Sequence, residues 1–175
     1  MLKKTMEELE RMSPVEFKQT EKLPIVVVLD EVRSMHNVGS VFRTSDGFLI
    51  ESIYLCGLTP QPPHRDIQKT ALGATETVAW KHVTNTQQAI DELKQNGFTV
   101  IAIEQVHNSI ALNQFKIDKS KKYAIVFGHE VNGVQEEIIN QCDFSIEIPQ
   151  LGSKHSLNIS VSAGMVIWEM AKEYL

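Results

Sequence analysis

The sequence predicts an α/β domain with a mostly parallel sheet and helices on both faces. Short apolar runs at 25–29, 52–56, 98–103 and 123–127, dense in Ile and Val, have the pattern of strands buried on both faces. They alternate with segments of helical period, as a parallel sheet with crossover helices requires. Two of the later runs, 123–127 and 144–148, are expected to end beside each other in glycine-rich or polar loops, each followed by a helix. In open α/β folds that end of the sheet binds ligands.

Residues 1–22 read as an N-terminal helical arm packed on a single domain, 23–175. Leu2, Met6, Leu9 and Met12 recur at three- and four-residue spacing and make one apolar stripe. Ser13-Pro14-Val15-Glu16 is a capping box with proline at the first helical position, so a second short helix starts there. Pro24 introduces the first strand. A polar loop, 30–36, leads to Asn37, which can cap a helix. On that helix Val38, Val41, Phe42 and Ser45 share one face, and Arg43 points to the opposite side. After the strand at 52–56, residues 57–70 hold Pro60, Pro62 and Pro63 and read as a long irregular loop. A helical turn at 69–74 precedes a strand at 78–82.

An amphipathic helix over 84–95, with Ala89, Ile90 and Leu93 inward, ends at Asn96-Gly97. The strand at 98–103 and a loop at 104–115 follow. The strand at 123–127 stops at Gly128, the strand at 144–148 stops at Pro149, and the last helix runs from about 159 to 174.

Composition narrows the function classes. The chain has 175 residues and a net charge of −5, which argues mildly against an indiscriminate nucleic-acid binder. It has no run of eighteen apolar residues, so no membrane span is expected, and its charged N-terminus has no signal core. Cys56 and Cys142 sit in strand-like segments and read as buried thiols in a reducing cytoplasm. No Cys/His spacing suggests a metal. No G-x-G-x-x-G follows a strand, which counts against a nucleotide-dependent oxidoreductase.

Three segments carry a more specific signal: Asn37-Val38-Gly39-Ser40-Val41-Phe42-Arg43, then Val126-Phe127-Gly128-His129-Glu130-Val131-Asn132-Gly133, then Ile148-Pro149 with Ser156-Leu157-Asn158-Ile159-Ser160-Val161-Ser162. In order and spacing they resemble the motifs of the SpoU-type (TrmH-like) RNA ribose methyltransferases of the SPOUT superfamily, over residues 23–175. The resemblance implies a deep C-terminal trefoil knot, which topology rules would not propose. It implies S-adenosylmethionine bound there by loops at Ile103, Gly128, Ile148 and Ser156-Leu157. Glycine at 128 allows close approach, and Ile148 and Leu157 offer apolar walls.

It further implies that Arg43 serves catalysis, with Glu130 orienting it or a substrate group, and Asn37 and Asn158 as polar partners. Each has a plainer alternative. Arg43 could be an exposed helix arginine and Glu130 a first-turn acid. Ser156, Asn158 and Asn37 could be N-caps. His36, His129 and His155 are left without a role. The function implied is transfer of a methyl group to a ribose 2′-hydroxyl of tRNA or rRNA, the short chain favouring tRNA, without a metal ion. Phosphate contacts would come from Arg33, His64, Arg65, Lys69 and Lys154. The alternative is a catalytically inactive RNA-binding or assembly module of the same fold, against which the intact Arg43, Glu130 and Asn158 count.

The last helix adds a partner. Ile159, Ala163, Val166, Ile167 and Met170 form one apolar face; Val161, Met165, Trp168 and Leu175 form another. A helix apolar on two sides is buried on two sides, so a homodimer is expected unless the N-terminal arm covers the second face.

Overall fold

The computed structural model describes residues 1–5 and 7–175. Helix α1 (Pro14–Gln19) opens with the capping box: Ser13 Oγ accepts the Glu16 N–H, and the Glu16 carboxylate accepts the Ser13 N–H. Of the helix expected before it, the described residues form a single 3₁₀ turn, Glu7–Leu9; Leu2, Leu9 and Met12 are exposed, and Met6 lies outside the described residues. So short an apolar stripe with no surface to pack on cannot offset the cost of helix nucleation.

The domain is built on strands β1 (Leu23–Asp30), β2 (Ile50–Cys56), β3 (Ala79–Val83), β4 (Phe98–Ile103), β5 (Ile110–Ala111), β6 (Lys122–Phe127) and β7 (Phe144–Glu147). They form one sheet in the order β3-β2-β1-β6-β4-β7-β5, and every pair is parallel. Side chains of the central strands alternate between two cores. Ile25, Val27 and Leu29 of β1, with Ile125 and Phe127 of β6, face one core; Val26, Val28, Ala124 and Val126 face the other.

The first core is covered by α2 (Met35–Gly47), α3 (Arg65–Ala71), α4 (Ala74–Thr77) and α7 (Ile159–Ala171) through Val38, Phe42, Ile67, Val166 and Ile167. The second is covered by α5 (Thr86–Gln95) and α6 (Glu136–Ile139) through Ala89, Ile90, Leu93 and Ile138. Helices on both faces explain why the strands read as continuous apolar runs.

Four local expectations change. Helix α2 is capped by Ser34, whose Oγ accepts the Asn37 N–H at 3.3 Å, so Asn37 sits inside the first turn and its amide side chain is free for other partners. The segment 57–70 is not all loop, because His64 caps α3 and its Nδ1 accepts the Asp66 N–H. Cys142 lies in a bend between α6 and β7 rather than in a strand. Finally, β6 and β7 are not neighbours. Strand β4 runs between them, so three parallel strands end together at the same edge.

Both thiols are free, and burial pushes each up to about 12. No helix is long and apolar enough to cross a membrane among the described residues.

Candidate active site

The C-terminal ends of β4, β6 and β7 open into a cavity of about 480 Å³, closed on its far side by the loop entering α7. Its lining includes Ile103, Gly128, Ile148, Ser156 and Leu157, the five positions expected to hold a cofactor, together with Glu130. Ile103 ends β4, Gly128 follows β6 and Ile148 follows β7, which is why residues 45 positions apart in the chain share one wall.

Gly128 has a structural reason of its own. The turn after it is closed by paired backbone hydrogen bonds between His129 and Gly133, at 3.0 and 2.9 Å. A Cβ at residue 128 would overlap the Gly133 carbonyl and the Val134 nitrogen. The space that glycine leaves is therefore taken by the turn, before any ligand is considered. His129 serves that turn, its Nδ1 accepting the Val131 N–H at 3.0 Å.

Because β6 pairs directly with β1, the loops after these two strands meet. The Glu130 carboxylate accepts the Arg33 N–H at 3.0 Å, the Ser34 N–H at 2.8 Å and the Asn37 amide at 3.0 Å. Asn37 Oδ1 in turn accepts the Asn158 amide at 3.3 Å. Asn158 also caps α7, with Oδ1 accepting the Ser160 N–H at 2.9 Å. Three of the four residues expected to serve catalysis are thus one hydrogen-bonded chain running from the cavity wall. Asn158 thus caps α7 and contacts Asn37 at the same time, and Glu130 braces the entry to α2 instead of decorating a helix start. Ser156 makes no cap.

Arg43 is different. It is exposed on α2, does not line the cavity, and has no hydrogen bond or ion pair among the described residues. The sequence reading missed Glu104 and Gln105, and it left His129 and His155 without a role; all four line the cavity too. Glu104 directly follows β4, and that position at a strand end was the signal that could have found it.

Burial would raise the Glu130 carboxyl, but the hydrogen bonds from Arg33, Ser34 and Asn37 outweigh it and hold the group below its ordinary range. A depressed carboxyl contributes stability above its ordinary pKa and loses it as pH falls through the folded value. Glu130→Gln is therefore expected to cost about 2 kcal/mol at neutral pH, and nothing once wild type is itself protonated. Urea melts of both proteins over a pH series falling from neutral check this, the difference narrowing as pH falls through the folded value; equal stability at neutral pH would refute it. The two roles of Asn158 separate by substitution. Asn158→Asp keeps the cap but loses the amide donor to Asn37, so activity falls while the melting point holds; Asn158→Ala also lowers stability by about 1 kcal/mol. Activity retained in Asn158→Asp would remove the Asn37 contact from the mechanism.

Residues 24–168 match the model of the SpoU rRNA Methylase family, more than half of the chain. The chain belongs to the SpoU methylase family. A protein of Staphylococcus aureus (strain COL) named for the TrmH family of tRNA/rRNA methyltransferases is 35% identical over 156 residues, 89% of this chain and 62% of that protein. This SpoU methylase domain thus spans under two thirds of the curated relatives it matches. Among solved structures, the AdoMet-bound rRNA methyltransferase of Sinorhizobium meliloti superposes with a TM-score of 0.79 at 27% identity, over 94% of this chain and 62% of that one. The TrmH/SpoU tRNA modifying enzyme of A. aeolicus gives 0.79 at 25%, over 91% and 81%. The parallel α/β sheet of this SpoU methylase domain is theirs.

Proposed function

We propose that this chain is an S-adenosylmethionine-dependent RNA methyltransferase acting on a ribose 2′-hydroxyl of tRNA or rRNA, with tRNA favoured. The observation that carries the reading is the cavity at the ends of β4, β6 and β7, with the Glu130–Asn37–Asn158 chain leading from its wall. The residues fit the donor. At about 480 Å³ the cavity is of ligand size, and Ile103, Ile148 and Leu157 give it apolar walls. Its lining holds Glu104, Glu130 and Glu147 but no lysine or arginine, a balance suited to a cation. When bound, S-adenosylmethionine supplies an electrophilic methyl group on a sulfonium.

The chain's own residues position and polarise. Arg43 orients a nucleotide phosphate and offsets charge developing at the ribose oxygen. A guanidinium stays protonated, so Arg43 is a charge stabiliser rather than the base. Glu130, Asn37 and Asn158 fix the start of α2 against the start of α7. The knot belongs to the same proposal: β6 inserted between β1 and β4, and α7 packed on α2, support it. So does a cytoplasmic setting, in keeping with two unpaired thiols. Among the described residues no group of three His, Cys, Asp or Glu is placed to hold a metal ion.

The test uses methyl-labelled donor and RNA from cells lacking the gene. The label is expected on a ribose, where it blocks alkaline cleavage at one site. Label on a base, or a reaction stopped by EDTA, overturns the mechanism. Donor that fails to bind in calorimetry would favour the inactive module.

The homodimer is part of the proposal. Val161, Met165 and Trp168 of α7 remain 47%, 43% and 49% exposed, so the described part of the N-terminal arm does not cover them. Helix α1 packs near α4 instead. By family resemblance, the partner's copy of this face completes the interface and Arg43 reaches the other subunit's cavity. Light scattering at micromolar concentration is expected to give a dimer, and Trp168→Glu a monomer; a monomeric wild type would end this reading.

A further inference from the structure

We propose that Glu104 and Gln105, consecutive residues at the end of β4, form a clamp that sets the shape of the donor cavity and act as positioning residues for the methyl donor. The inference rests on reading that cavity as the S-adenosylmethionine site. Its walls come from the loops after β4, β6 and β7, and β4 is the middle strand of the three. A residue leaving β4 can therefore reach either neighbour.

Glu104 reaches the β6 side. Its Oε2 accepts the Val134 N–H at 3.0 Å, and its Oε1 accepts the Gln105 N–H at 2.9 Å. The carboxylate occupies the place a side chain at Gly133 would fill, where the backbone φ is +67°. The acid and the glycine fit together, and the 129–133 turn is drawn against β4. The Glu104 N–H meanwhile donates to Ile146 O of β7 at 3.1 Å, which fixes the root of the clamp.

Gln105 reaches the opposite side. Its Nε2 donates to His155 O at 3.1 Å, in the loop that carries Ser156 and Leu157 into the cavity. Among the described residues, no other hydrogen bond is made by residues 149–157. That loop is exposed over most of its length, with the Leu151 side chain fully in solvent. A segment with so few contacts is ordered by whatever tether it has. Here the tether is one side-chain amide, held in register by the carboxylate beside it.

The test is calorimetry with S-adenosylmethionine on the full chain, with thermal melts alongside. Gln105 is exposed, so its variants fold. Gln105→Glu places a carboxylate against the His155 carbonyl and is expected to weaken donor binding about tenfold with an unchanged melting point. The direction matters, because a new negative charge near a cationic donor would by itself tighten binding. Gln105→Lys restores a donor to the carbonyl but sets a positive charge near the cationic donor, so it is expected to recover part of the loss. Glu104→Gln, which turns one acceptor into a donor facing an N–H, is expected to weaken binding similarly. In steady state the loss falls on the KM for the donor, with the KM for RNA unmoved. Wild-type affinity in both Gln105→Glu and Glu104→Gln would overturn the clamp and leave the cavity assignment standing. Absence of donor binding in wild type would overturn the assignment and the clamp with it.

Discussion

Replacing Arg43 by alanine is expected to slow methyl transfer by about a hundredfold to a thousandfold, while donor affinity and melting temperature stay at wild-type values. The stability half follows from the structure: the guanidinium is exposed and has no partner among the described residues, so its removal leaves no group unsatisfied. The activity half follows from the same fact. A charged fork held on the exposed face of α2, without a partner among the described residues, is available to a phosphate, and arginine is the side chain best shaped for one. Turnover by single-turnover assay, donor binding by calorimetry and a melt decide it together. Undiminished turnover would take Arg43 out of the site and leave the family membership untouched; a large drop in melting temperature would mean that it has a structural role instead.

Gly128→Ala is expected to weaken donor binding and to destabilise the domain by about 1–3 kcal/mol. The usual expectation for a glycine beside a ligand is that a larger side chain evicts the ligand. Here even one methyl group meets backbone, the Gly133 carbonyl and the Val134 nitrogen, and backbone cannot rotate aside as a side chain can. The 129–133 turn must open, and with it go the His129–Gly133 hydrogen bonds and the bracing of Glu130. The expected signature is joint: weaker donor binding, a lower melting point and lost turnover. A variant with normal stability and absent donor binding would show that the glycine makes room for the ligand alone.

Much of this was legible in the residues because it depends on local pattern. Apolar runs gave the strands, and Ser13 and Glu16 announced a helix start that the structure repeats. The end of the sheet where the cavity lies was legible for a related reason, whereas Ile103, Gly128, Ile148, Ser156 and Leu157 were named through the resemblance to the SpoU-type motifs. What escaped depends on strand order. Nothing in the sequence says that β4 passes between β6 and β7, and that placement brings Glu104 against Val134 and Gln105 against His155. Asn37 was expected as a polar partner in the site or, alternatively, as a cap, and local pattern could not choose between the two. Ser34 and Asn37 are both good caps, and only the observed helix start shows that Ser34 took that role and freed Asn37 to join Glu130 and Asn158. The apolar stripe of residues 2–12 misled because periodicity reports a face without reporting what it packs on.

The position of β6 reaches into how the molecule is made. Strand β1 is synthesised early and β6 late, yet they pair along Ile25–Leu29 in the middle of the sheet. At ribosomal rates the intervening chain takes on the order of ten seconds to emerge. Until then β1 and β2 can pair, but the other edge of β1 offers open backbone groups and apolar Val and Ile side chains to any neighbour. The sheet closes by late insertion of an interior strand rather than by adding strands outward. Such long-range pairing slows folding, and it leaves the nascent chain dependent on protection of that edge.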